Sequence, residues 1–244
     1  MSDPEDRERI AKRIARAGVA SRREAERLIA FARVAVNGEV ITTPATLVGA
    51  SDVILIDGKP LPKAAAAALW LCHKPRGLVT THKDPEGRPT LFASLPPGMP
   101  RVISIGRLDL NSEGLILLTN DGGLARKLEL PSTGWTRRYR VRVHGRVSPA
   151  ALASLAQGST VEGVNYGPIE AELDREQGTN AWVTLSLREG KNREVRRVME
   201  HLGLPVSRLI RTAYGPFQLG QLAPGEVREV SGKVLREQVG TWET

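Results

Sequence analysis

Gly106-Arg107-Leu108-Asp109-Leu110-Asn111-Ser112-Glu113-Gly114-Leu115-Ile116-Leu117-Leu118-Thr119-Asn120-Asp121-Gly122 sets one carboxylate in a polar turn just ahead of an apolar run. Four consecutive apolar residues, Leu115 to Leu118, bounded by turn residues, predict a strand buried on both faces. Asn120-Asp121-Gly122 ends it. Asp109 thus stands where a tight turn meets a rigid element, a position suited to chemistry because fixed elements aim side chains well. An Asp in a turn is more often an Asx-turn or a helix cap. Position alone therefore leaves its role open.

Composition narrows the rest. A chain of 244 residues makes one large domain, or a large and a small one, and 41% hydrophobic with 25% charged residues is ordinary for a globular protein. No run reaches the ~18 apolar residues of a membrane span, so no membrane partner is expected. The polar, acidic start predicts no secretory signal and a cytoplasmic location. The single Cys72 allows no internal disulfide and no cysteine-cluster metal site, and the four histidines lack ligand spacing, so no metal is expected. Lys and Arg number 35 against 27 acids, a net charge of +8 that points toward polyanions. Arg137, Arg138, Arg140, Arg142 and Arg146 form one acid-free cluster, and Lys191, Arg193, Arg196, Arg197, Arg208 and Arg211 form another. Charge runs are usually solvated faces, yet two in one basic chain favour nucleic acid. Aromatics at 4% argue against an extended base-stacking sheet.

Residues 5–62 read as a small module. Ile10, Ile14 and Ala17 recur at helical spacing and Gly18 stops that helix. Ser21-Arg22-Arg23-Glu24 is a capping box opening a second helix, with Ala25, Leu28 and Ile29 inward. Val34 to Ile41 predicts a hairpin around Asn37-Gly38, and Val53 to Ile56 a further strand. Residues 63–68, a lysine and five alanines, form the linker, either helical or flexible. Residues 69–244 form the larger domain. Strands are predicted at 69–71, 102–105, 115–119, 139–143, 181–187, 209–213 and 227–230, and helices at 123–130, 149–156 and 194–202. Strands outnumber helices without strict alternation, which predicts α+β with a mixed, mainly antiparallel sheet.

The opening stretch, with its Gly-Arg-Leu-Asp, Ser-Glu-Gly-Leu and Thr-Asn-Asp-Gly pieces, resembles the active-site segment of bacterial ribosomal RNA pseudouridine synthases of the RsuA and RluB type. The resemblance implies that Asp109 is the catalytic carboxylate. Arg137-Arg138-Tyr139-Arg140-Val141-Arg142-Val143 resembles the family's second segment, which implies that Tyr139 stacks on the uracil and takes a proton. Glu189-Gly190-Lys191-Asn192-Arg193-Glu194-Val195-Arg196-Arg197 resembles the third, which implies that Arg196 pairs with the aspartate. Arg193 is the near alternative, since helical spacing puts it on almost the same side. Lys191, Arg193, Arg137 and Arg138 are expected to touch RNA, and Arg107 to wedge into the stack or hold a flipped nucleotide's phosphate. His73-Lys74-Pro75-Arg76-Gly77 resembles the first segment and reads as a structural strand exit, while Asp84 to Thr90 reads as a loop flanking RNA. Ala17 to Ala25, with Val34-x-Val-Asn-Gly, resembles the αL RNA-binding module of ribosomal protein S-four. That implies Arg16, Ser21, Arg22, Arg23 and Arg27 facing phosphates, near a helix N-terminus that itself favours anions. Glu5, Asp6 and Glu8 offset part of the module's charge.

Isomerising uridine to pseudouridine breaks the bond from sugar to ring nitrogen, turns the uracil and rejoins it through carbon. It requires no redox step, and no cofactor is expected. A guanidinium beside a carboxylate keeps it charged where burial would not. Three routes stay open: attack of Asp109 on the sugar, its addition to the ring, or proton removal from the sugar to give a glycal. The resemblance implies a site-specific enzyme acting on large-subunit ribosomal RNA, free or in an assembling particle, as a monomer. Its alternatives are a small-subunit enzyme and a non-catalytic RNA-binding assembly factor.

Overall fold

The computed structural model describes residues 7–242, which divide into two compact units. One contains the chain up to Ala67 with the short stretches Met99–Ile103 and Asn120–Gly122; the other contains Ala68–Gly98, Ser104–Thr119 and the chain from Gly123 onward. Glu5 and Asp6, counted in the expected small module, and the last two residues of the expected large domain lie outside the described residues.

The small unit runs β1 (Glu8–Arg9), α1 (Ile10–Arg16), α2 (Arg22–Ala30), β2 (Val34–Val36), β3 (Glu39–Ile41), β4 (Leu47–Val48), β5 (Ile54–Ile56) and β6 (Lys59–Pro60). Both arms of the capping box form: Ser21 accepts from the Glu24 N–H, and Glu24 accepts from the Ser21 N–H. Ile10 and Ile14 of α1 and Ala25 and Ile29 of α2 are buried together with Val34, Val48 and Ile54. Fully burying an aliphatic side chain is worth about 1.5–3 kcal/mol, so this handful carries the unit. The β2–β3 hairpin turns on Asn37 and Gly38, both at positive φ (53° and 89°), as the Asn-Gly pair predicts. Asp57 and Gly58 repeat the device between β5 and β6. Leu61 donates to the Ile54 carbonyl and packs on this core, and the alanines beyond it take no regular structure before Leu69.

The large unit holds β7 (Leu69–Lys74), β8 (Ile103–Ile105), β9 (Glu113–Thr119), α3 (Gly122–Glu129), β10 (Arg137–His144), α4 (Pro149–Ser154), β11 (Ser159–Val161), β12 (Val164–Tyr166), β13 (Ile169–Gln177), β14 (Asn180–Leu187), α5 (Glu194–His201), β15 (Val206–Tyr214), β16 (Phe217–Gln218), β17 (Val227–Glu229) and α6 (Gly232–Val239). Its main sheet has the order β13-β14-β10-β15-β9-β7-β17. β15 and β9 are parallel and the other neighbours on this path are antiparallel, so the sheet is mixed and mainly antiparallel, as expected. Every residue of β9 is buried. α3 and α6 cover Leu115 and Leu117 through Leu124, Leu128, Leu235 and Val239. α4 and α5 cover Val141, Val143, Val183 and Leu185 through Leu152, Val198 and Met199. β11, β12, β13, β16 and α6 were not among the predicted elements of this unit. No helix among the described residues is long and apolar enough to cross a membrane.

Candidate active site

The turn between β8 and β9 is held by its backbone from several directions. Lys74, at the end of β7, donates from Nζ to the carbonyls of Asp109 (3.1 Å) and Ser112 (2.8 Å). The Gly77 N–H donates to Leu110 O at 2.8 Å. Thr80 Oγ1 donates to Leu108 O at 2.7 Å, and Arg196 Nη2 donates to Asn111 O at 3.0 Å. The Asp109 carboxylate, 32% exposed, projects from this fastened loop. The Lys74-Pro75-Arg76-Gly77 exit is therefore structural, as read, but in a specific way: it pins the turn of the carboxylate. Lys74 is wholly buried, and burial pushes its pKa down to about 8 against the opposing pull of the Asp109 and Glu113 charges. No periodicity in the sequence marks it.

Asp109 opens into a cleft of about 930 Å³ that also contains Arg107, Tyr139, Arg193, Glu194 and Arg211. Arg193 Nη1 lies 3.9 Å from Asp109 Oδ2. The partner inferred for that carboxylate, Arg196, takes a different place. It is buried, with Nη1 on Val206 O (3.2 Å) and Nη2 on Asn111 O (3.0 Å), and makes no direct ion pair with Asp109. The reason is the start of α5. Arg193 precedes the helix in a left-handed conformation (φ 52°) and so escapes helical spacing, whereas Arg196 lies inside the first turn. Burial lowers the pKa of Arg196 and raises that of Glu194, whose Oε2 accepts from the Lys191 N–H at 2.9 Å.

Strand alternation sorts the arginine cluster of β10. Tyr139 and Arg137 share the face that lines the cleft, while Arg138 is exposed on the other. Arg137 donates to Tyr214 Oη (2.9 Å) and sits over that ring, 4.7 Å from its centroid. Lys191 is tied to Glu189 (2.7 Å) and to Asn165 O (2.6 Å). Arg107 is exposed at the cleft and makes no hydrogen bond or ion pair among the described residues. The loop at Asp84 closes on itself: Arg88 donates to both Asp84 oxygens, which holds that carboxyl down near 2. In the small unit, Arg16 is ion-paired with Glu8 and the Ser21 hydroxyl serves as the helix cap. Arg22, Arg23 and Arg27 are exposed and without partners among the described residues.

Residues 68–201 match the family of RNA pseudouridylate synthases, and residues 8–54 match the S4 domain. The chain belongs to the RNA pseudouridylate synthase family. A Rickettsia bellii protein named an uncharacterized RNA pseudouridine synthase is 49% identical over 94% of this chain and 99% of its own length. Ribosomal large subunit pseudouridine synthase B of Pasteurella multocida is 41% identical, matching 96% of this chain and 70% of its own. The protein of that name from Pseudomonas aeruginosa is also 41% identical, over 96% of this chain and 63% of its own. A solved pseudouridylate synthase superposes with a TM-score of 0.66 at 27% identity, covering 95% of this chain and 99% of that one. Pseudouridine synthases are isomerases that act on uridine in RNA, and this chain joins such a domain to an S4 module.

Proposed function

We propose that this pseudouridine synthase converts one uridine of large-subunit ribosomal RNA to pseudouridine, working as a monomer in the cytoplasm. The observation that carries the reading is the meeting of Asp109, Arg193 and Tyr139 in one cleft. The names of the relatives at 41% identity support the large subunit as substrate. The target nucleotide leaves its stack to reach Asp109, as base chemistry in RNA requires. Asp109 supplies the carboxylate for the detached sugar or ring, Arg193 pairs with it, and Tyr139 offers a flat face to the uracil. Arg107 and Arg193 meet the flanking phosphates at the rim, and Arg22, Arg23 and Arg27 hold RNA at the S4 module.

The test is a modification assay on large- and small-subunit ribosomal RNA lacking pseudouridine, mapped by carbodiimide-dependent stops in primer extension. Wild type is expected to create a single site in the large-subunit RNA. Asp109→Asn should lose about a thousandfold or more in rate while its RNA affinity stays within about twofold, because binding rests on phosphate contacts. Turnover retained by the variant would remove Asp109 from the chemistry. A site only in the small-subunit RNA would change the substrate, and binding without modification of either RNA or of assembling particles would favour a non-catalytic factor.

A further inference from the structure

Arg211 of β15 lies directly opposite Tyr139 of β10, and both belong to the wall of the cleft. The residue is 3% exposed. Its Nε donates to Leu115 O at 2.7 Å, and the guanidinium sits 5.2 Å from the centroid of the Tyr214 ring. There its bonding stops. Nη2 is sealed without an acceptor, and Nη1 has no partner among the described residues. The nearby carboxylates are engaged elsewhere: Glu113 pairs with Arg208 and Asp109 with Arg193. The backbone that carries Arg211 is locked, because β9 and β15 meet at Gly114, where a Cβ would fall 2.3 Å from the Arg211 carbonyl oxygen. Lys74 is a second buried cation close enough to feel the Arg211 charge.

An arginine cannot shed its charge when buried, and a buried donor without an acceptor is costly. Nη1, which is not sealed, is the donor that a ligand entering the cleft can meet. Residues directly opposite on neighbouring strands have Cβ atoms about 4.5–5.5 Å apart, so a base stacked on Tyr139 turns its edge toward Arg211. Arg107 and Arg193, the exposed cations of the same cleft, are the groups open to the phosphates of a bound nucleotide.

We propose that Arg211 is a substrate-positioning residue that donates a hydrogen bond to a ring carbonyl of the uracil lying on Tyr139. The inference rests on the reading of the cleft as the uridine site. It also fits the geometry of the reaction. Turning the uracil over about the axis through N3 and C6 exchanges N1 with C5 and, at the same time, O2 with O4. One fixed donor therefore meets a carbonyl both before and after the turn, and the ring is held while its bond to the sugar is broken.

The test uses short RNA substrates carrying the modified uridine, compared with 2-thiouridine, 4-thiouridine or a methylphosphonate at the target position. Each is reacted in single turnover with wild type, Arg211→Lys and Arg211→Met. Sulfur accepts hydrogen bonds weakly, so wild type is expected to lose about tenfold with at least one thio base. Arg211→Met should be about a hundredfold slower on uridine and indifferent to the sulfur, with Arg211→Lys between the two. Because each thio ratio is taken within one variant, partial loss of folded protein cancels. A full thio penalty in Arg211→Met would make the residue purely structural and overturn the proposal. Coupling of Arg211 to the methylphosphonate instead of the thio bases would transfer it to phosphate binding and overturn it equally. Normal coupling to neither, in a wild type that still modifies uridine, would defeat the proposal while leaving the uridine site intact.

Discussion

The turn that carries Asp109 and the helix that carries Arg22, Arg23 and Arg27 treat their polar groups in opposite ways. In the turn, the carbonyls of Leu108, Asp109, Leu110, Asn111 and Ser112 each accept a bond from Thr80, Lys74, Gly77, Arg196 or Lys74 again. On α2 the arginines project into solvent with no protein partner among the described residues. The difference fits the roles proposed for the two. A reacting group misplaced by about 1 Å loses a hundredfold in rate, so its turn is fastened throughout. Counterion release depends on charge near phosphate more than on exact position, so long free side chains suffice.

The contrast is broken most severely at Gly114. A methyl group there would lie 2.3 Å from Arg211 O and 2.6 Å from Arg211 N, at a φ of 105° that side chains rarely adopt. Both atoms are backbone in a buried seam, so the strands must part. Gly114→Ala is expected to cost about 3 kcal/mol or more, the upper end of overpacking, with activity lost alongside. Gly18→Ala is the control in the small unit: φ is again positive (78°), but no atom lies within 4 Å, so only backbone strain of about 1 kcal/mol applies. Urea denaturation measures both. Equal midpoints would mean that the seam is no tighter than an open turn.

Next in size is Lys74→Met, which keeps the bulk and removes the donor from two carbonyls of the Asp109 turn. The turnover rate should fall about tenfold to a hundredfold as the turn loosens, with RNA affinity nearly unchanged. A pH series sharpens the cause. The Lys74 pKa is about 8 in the folded protein against the ordinary 10.5, so between these values the unfolded chain binds the extra proton. Stability therefore rises with pH across that window in wild type. Below about 8 both states are protonated, and the full cost of burying the charge is present. The stability of wild type relative to Lys74→Met should climb from pH 8 to 10.5, and a flat difference would show that the lysine is not buried as a cation.

The sequence was most legible where one local rule decided the outcome. Asn37-Gly38 fixed a hairpin, Ser21 and Glu24 fixed a helix start, and the run from Leu115 to Leu118 announced the buried strand. β13 escaped because it is an edge strand: Ile169, Ala171 and Leu173 alternate with acids, and neither the apolar residues nor the β-branched ones dominate. α6 carried a readable signal in Ser231, which caps it by accepting from the Val234 N–H, yet its eight residues are short for periodicity. Of the candidate site, the carboxylate and the aromatic that the sequence singled out do line one cleft. It was less so in its cations, because which of Arg193 and Arg196 meets Asp109 depends on where α5 begins, and a helix boundary is the least determined part of a sequence pattern. Lys74 and Arg211 needed the fold itself, since their burial comes from strands far apart in the chain.

The smallest expected effect lies in the small unit, and it tests the other half of the contrast. Arg27→Ala or Arg23→Ala should weaken binding to the ribosomal RNA severalfold and reduce the slope of log affinity against log salt by about 0.7–0.9. The single-turnover rate at saturating RNA should not change, because neither residue belongs to the cleft. Arg16→Ala is the informative comparison. Its guanidinium is already paired with Glu8, which also meets Lys12 and Arg13, so bringing it to a phosphate means giving up that pair, and its slope should fall by less. Fluorescence anisotropy across a salt series separates these cases. If Arg16→Ala lowered the slope as much as Arg27→Ala, the Glu8 pair would have to open on the RNA, and the free arginines of α2 would not be the whole of the module's grip.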